Sequence, residues 1–197
     1  MGVRPGPAHD DGGTAIVRDT AISVLARVDA DEAYADIVLD RALREARFPD
    51  PRDRALLTEL VMGTLRRRGT IDFALLPFLS RPLEKTDAYV RNALRVGAYQ
   101  LYYTRIPDRA ALNETVAAVK AARGGGAGGF VNAVLRGIVR AGKVPTLPPE
   151  GDSRRLPAEG SAPKALLDAL AASLGEKETM AFLAATLLSS WGGRRTA

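Results

Sequence analysis

Ala93-Leu94-Arg95-Val96-Gly97-Ala98-Tyr99-Gln100-Leu101-Tyr102 is the stretch on which the fold turns. Ala93, Leu94, Gly97, Ala98, Leu101 and Tyr102 fall at i, i+1, i+4, i+5, i+8 and i+9. That spacing makes two adjacent rows of one helix apolar and predicts a helix buried on a broad face. Gly97 sits in its middle, where glycine costs about 1 kcal/mol against alanine. Close approach of a second helix at that point accounts for it.

Working outward, the same helical period recurs almost everywhere. Leu56, Leu57, Leu60, Val61, Thr64 and Leu65 form a stripe ending near Arg68-Gly69. A shorter helix is expected from Asp72 to Leu79, stopped by Ser80-Arg81-Pro82. Further upstream, Tyr34, Ile37, Val38 and Ala42 form one stripe, closed by Phe48-Pro49-Asp50-Pro51, and Ala21, Val24, Leu25 and Val28 form another. Downstream, Ile106-Pro107-Asp108 is a turn, with Asp108 the expected N-cap of a helix carrying Leu112, Thr115, Val116 and Val119. The run Gly124 to Gly129 breaks the chain, and Phe130, Val131, Val134, Leu135, Ile138 and Val139 form the last strong stripe. No stretch alternates with the period of a half-buried strand. The fold class is all-α.

Composition divides the chain further. Residues 1–14 read as a Gly/Pro-containing tail without fixed structure, and 15–143 as the helical domain. Residues 144–163 are rich in Pro, Gly, Glu and Ser and read as a linker. Residues 164–197 form a helical extension, with helices expected at Ala165–Leu174 and Lys177–Leu188.

Several chemistries are excluded at once. The 197 residues contain no cysteine, so there is no disulfide, thiolate metal site or cysteine nucleophile. His9, in the tail, is the only histidine, which argues against imidazole acid–base or metal chemistry. No apolar run approaches the ~20 residues of a membrane span, and the first residues lack a secretory apolar core. A cytoplasmic protein with no metal and no membrane contact is expected. The net charge is +5, carried mostly by arginine, whose planar fork suits phosphate. Charge alone leaves nucleic-acid binding and an Ala/Arg/Gly-rich compositional bias as equal readings.

The candidate contacts follow from where the cations fall. Arg66-Arg67-Arg68 closes a helix; the helix dipole favours cations there, but three in a row point in different directions. Asn132 and Arg136 lie at i and i+4 on one face, continued by Arg140 and accompanied by Lys120 and Arg123. Asn132 either hydrogen-bonds another segment or reads a ligand. The glycine run before Phe130 either exposes N–H groups to an anion or is a plain interhelical turn. Arg18 and Arg27 lie off the apolar stripe of the first helix, as solvated charges or phosphate contacts. Tyr99, Tyr102 and Tyr103 read as core and rim, with base-stacking platforms the alternative.

Four motifs in order carry a resemblance. They are Met62-Gly63-Thr64-Leu65-Arg66-Arg67-Arg68-Gly69 with Asp72, the Leu94–Leu101 stretch, Ile106-Pro107-Asp108 with Asn113-Glu114 and Val116, and Phe130-Val131-Asn132-Ala133-Val134-Leu135-Arg136. Together they resemble the NusB-like domain at the N-terminus of RsmB-type ribosomal RNA cytosine-5 methyltransferases, a fold that also occurs alone in the antitermination factor NusB. The resemblance implies two packed three-helix bundles and an RNA-binding role. It places RNA contact on Arg18, Arg27, Arg66, Arg67, Arg68, Lys120, Arg123, Asn132, Arg136 and Arg140. The catalytic domain of such enzymes needs an S-adenosylmethionine site and a nucleophilic cysteine, neither of which is in these residues, so a non-catalytic chain without a cofactor is expected. Ribosomal RNA is the expected partner. The alternative is a stand-alone antitermination or elongation adaptor that binds RNA and a ribosomal protein.

Overall fold

The computed structural model describes residues 11–31, 34–46, 48–150, 152–161 and 164–189. Among them the helices are α1 (Asp11–Asp31), α2 (Ala35–Glu45), α3 (Pro51–Arg66), α4 (Arg68–Leu75), α5 (Ala88–Tyr103), α6 (Asp108–Arg140), α7 (Arg155–Gly160), α8 (Lys164–Leu174) and α9 (Glu176–Ser189). Short 3-10 turns at Leu76–Phe78 and Leu83–Lys85 join α4 to α5. Helices α1 to α3 pack as one bundle, and α4, α5 and the two halves of α6 as the other, with α1 lying against both α5 and α6. None of the described helices is long and apolar enough to cross a membrane.

Helix starts follow local chemistry. Asp50 caps α3, accepting the Arg52 N–H at 2.8 Å, with Pro51 at the first helical position, where its missing N–H costs nothing. The Phe48–Pro51 punctuation therefore both closes one helix and opens the next. Asp87 caps α5 by accepting the Val90 N–H at 3.1 Å. Asp108 does not cap α6. The extended backbone of Pro107 starts the helix one residue earlier than expected, and the Asp108 carboxylate instead pairs with Lys143 Nζ at 2.9 Å.

The α5 stretch is buried as its spacing predicts, Ala93, Leu94, Ala98 and Leu101 all lying in the main core. A side chain added at Gly97 would come within 2.6 Å of Leu135 Cδ1, so α5 and the second half of α6 meet where the glycine permits it. On α2 the predicted stripe is only half right. Tyr34 and Ile37 are 79% and 63% exposed, whereas Leu39 is buried, with Val38, Ala42 and Leu43 packed around it. This helix carries two apolar rows, and contact with α1 and α3 selects one of them.

Three boundaries differ from expectation. α1 begins at Asp11, inside the expected tail, the remainder of which lies outside the described residues along with His9. In the glycine run only Gly124 leaves the helical region, at φ 83° and ψ 174°, and the glycines after it continue the helix. The expected linker contains α7, which docks on α4. There the Gly69 N–H donates to Ser161 Oγ at 3.0 Å, and the Thr70 hydroxyl donates to the Ala158 carbonyl at 2.9 Å. Leu156, Leu167 and Leu183 then form a small second core joining α7, α8 and α9. A Pro/Gly-rich average hid one leucine and two small residues that suffice for close docking.

Candidate nucleic-acid interface

The site is built on the bend in α6. Gly124 adopts a backbone conformation essentially confined to glycine, which folds the helix into two arms, 108–123 and 125–140. The arms close on each other because the Lys120 stem rests on Gly128, whose missing side chain leaves room for it. Between them runs a groove of about 330 Å³. The first arm lines it with Asn113, Ala117 and Lys120, the second with Gly128, Asn132 and Arg136.

Its polar groups are oriented from within. Arg136 Nε donates to Asn132 Oδ1 at 3.1 Å, so Asn132 braces the guanidinium of its own helix rather than bonding another segment. Among the described residues, Lys120, Arg136 and Arg140 have no carboxylate partner. A cation without an internal counter-ion keeps its full attraction for an incoming phosphate.

The other predicted residues are placed differently. Arg18 is 3% exposed, bound to Glu114 at 2.8 Å and donating to Gln100 Oε1 at 3.1 Å. Burial draws its pKa below the ordinary arginine value, against the opposing charges of Glu114 and Asp53. It is a strut between α1, α5 and α6, and the expectation that it contacts RNA is corrected: its face of α1 packs inward. Arg27 is exposed and pairs with Asp31 at 3.3 Å. Arg68 pairs at 2.9 Å with Asp29, which Arg91 and Arg95 also hold, and Arg95 reaches Asp72 at 2.7 Å. Arg123 pairs with Asp87 at 3.2 Å and lies 4.7 Å over the Tyr89 ring. Arg67 stacks over Tyr103 at 5.3 Å, and Arg66 has no carboxylate partner among the described residues.

The two arginine-bearing regions do not share a face. Gly97 of α5 meets Leu135 of α6, whereas Tyr99, about 200° further round the same helix, meets Gly63 of α3. Arg66 and Arg67 at the end of α3 thus lie across α5 from Arg136. Asn113 and Gly128 were missed as groove residues in the sequence. Asn113 stands one helical turn before Ala117 and two before Lys120, a signal visible only once that row is known to face outward.

Residues 15–140 match the NusB family. The chain belongs to the NusB family. Over 161 residues it is 38% identical to the probable ribosomal RNA small subunit methyltransferase B of Bacillus subtilis (strain 168), covering 81% of this chain and 35% of that protein. The chain thus spans about a third of the length of that relative. A crystal structure of the antitermination factors NusB and NusE in complex with dsRNA superposes with a TM-score of 0.60 at 28% identity, over 68% of this chain and 98% of that one. The crystal structure of PH0851 covers 100% of this chain and 40% of its own, with a TM-score of 0.64 at 15% identity, a likeness of fold that takes in α7 to α9. In this NusB-family domain the bent α6 is what brings together Lys120, Asn132 and Arg136.

Proposed function

We propose that this NusB-family domain binds RNA through the α6 groove and targets a ribosomal RNA cytosine-5 methyltransferase to its substrate, while doing no methyl transfer itself. The observation that carries the reading is the groove at the Gly124 bend, where Lys120 and Arg136 stand beside Asn132 without a carboxylate partner among the described residues. Kinship with ribosomal RNA methyltransferases supports the targeting role, and the solved NusB–NusE–dsRNA complex supports RNA as ligand. The chemistry is assigned elsewhere because these residues contain no cysteine to attack a pyrimidine ring. S-adenosylmethionine accordingly belongs to the part of the longer relatives that this chain does not span. The likeness to a NusB solved with NusE favours, as a second reading, an adaptor joining RNA to a ribosomal protein.

Fluorescence anisotropy with a ribosomal RNA hairpin over a salt series tests the groove. Counting Lys120, Arg136 and Arg140 as phosphate contacts, log K should fall against log salt with a slope of about −2 for an unpaired loop. Between roughly 50 and 200 mM salt that is a loss of about fifteen-fold. The Lys120→Ala/Arg136→Ala variant should bind weakly with a flattened slope, whatever the RNA sequence. Unchanged affinity and slope would remove the groove from the RNA surface. Retention of a ribosomal protein by the chain, with no effect on methylation of ribosomal RNA, would favour the adaptor.

A further inference from the structure

The α6 groove is not closed at its first-arm end. Asn113 and Ala117 also line a second cavity, of about 570 Å³, whose wall includes Arg109 and Ala15. Arg109, Asn113, Ala117 and Lys120 fall at i, i+4, i+8 and i+11, one row of the first arm, and all four are exposed. The row on the other side, with Ala111, Thr115 and Val119, is buried. A continuous outward stripe therefore runs from one cavity to the other, with a cation at each end and an amide between them.

From this juxtaposition we infer that the two cavities form one track for single-stranded RNA, with Arg109 as its far phosphate contact and Asn113 as its central base-contacting amide. The inference rests on the groove reading above and extends it. Arg109 and Lys120 are eleven residues apart, about 16 Å along a helix, which is too far for one nucleotide to bridge. The concave shape suits splayed, unstacked bases, since single-stranded RNA offers base edges that an A-form duplex hides. Among the described residues lining the two cavities the acidic group is Glu114, next to Asn113, and Arg18 pairs with it from the buried side at 2.8 Å. That pairing removes the charge that would otherwise repel a phosphate there. Arg18 so serves the track without touching it.

The test uses the full chain and two probes, a uridine trinucleotide and a uridine dodecamer, in anisotropy titrations over a salt series. For the dodecamer, Arg109→Ala should lower the magnitude of the salt slope by about 0.7, the share of one single-strand phosphate contact. Asn113→Ala should weaken dodecamer binding without changing that slope. Neither should alter trinucleotide binding in the Lys120 groove as much as Lys120→Ala does. If Lys120→Ala weakens both probes while Arg109→Ala and Asn113→Ala weaken neither, the track is overturned and the groove stands. If Lys120→Ala also has no effect, the groove reading itself fails. A blunt RNA duplex that displaces the dodecamer at equal concentration would overturn the single-strand assignment.

Discussion

Arg18 and Arg136 are both helix-borne arginines, and their surroundings give them opposite work. Arg18 is enclosed by Gln100 and Glu114, whereas Arg136 is exposed and, among the described residues, oriented by Asn132. Arg18→Ala should leave Glu114 without its counter-ion and the Gln100 acceptor without its donor. The expected loss is about 3 kcal/mol, as for breaking one side of a buried pair. Urea melts measure it, and the Arg18→Met/Glu114→Gln variant should recover part of the loss because the stranded charge is gone. A wild-type midpoint for Arg18→Ala would mean the strut carries no stability. Asp29 supplies a pH dependence. Burial works against its ionisation, but the Asn92 hydrogen bond and the Arg68, Arg95 and Arg91 charges outweigh that, so its pKa lies below the ordinary aspartate value. Its contribution is complete above that ordinary value and is lost as pH falls through the lower folded one. Stability should therefore fall as the pH drops below the ordinary aspartate value of about 4. Asp29→Asn should flatten that acid limb, and an unchanged pH profile would rule Asp29 out as its source.

Helices show which sequence signals are dependable. On α5 two adjacent apolar rows leave little choice of buried face, and both are buried. Gly97→Leu should overpack against Leu135 and cost about 1–3 kcal/mol. The helix-propensity gain is under about 1 kcal/mol and cannot offset it. A denaturation midpoint at or above wild type would contradict this contact. α2 offered two apolar rows, and only its neighbours could choose between them, so Tyr34 and Ile37 were misplaced. The bend in α6 is a backbone matter: a side chain at Gly124 would meet nothing within 4 Å, so Gly124→Ala is penalised by its φ of 83° alone. That strain amounts to about 1–3 kcal/mol. Relief by straightening α6 would separate Lys120 from Asn132. Circular dichroism melts and anisotropy should therefore register lower stability and weaker RNA binding together.

For the whole molecule, the question is how far α7 to α9 matter to the rest. Their small core is separate from the main one, but the Ser161 and Ala158 hydrogen bonds attach it to Gly69 and Thr70 of α4. Thr70→Val should loosen that attachment by about 1 kcal/mol, the net worth of one hydrogen bond. Limited proteolysis should then cut between residues 144 and 163 sooner than in the parent chain, while the main domain melts at nearly the same denaturant concentration. Equal cleavage rates would mean that packing alone holds α7 in place. The placement of the cations is also a property of the whole: α5 separates Arg66 and Arg67 from Arg136, so no single surface collects the predicted arginines.

By itself the sequence determined the helical class, the buried rows of α5 and the second arm of α6, the close approach at Gly97, and the absence of cysteine chemistry. These follow from period and residue type, which act within a few residues of one another. Only the tertiary structure decided which row of α2 is buried, that residues 155–160 dock on α4, and that Arg18 faces Glu114 while Arg136 faces outward. An arginine beside an apolar stripe has the same local sequence signature whether a distant carboxylate meets it or solvent does. That difference is set by elements brought together from nearly a hundred residues away, and the Coulomb and desolvation energies that sort a strut from a phosphate contact exist only after they have met.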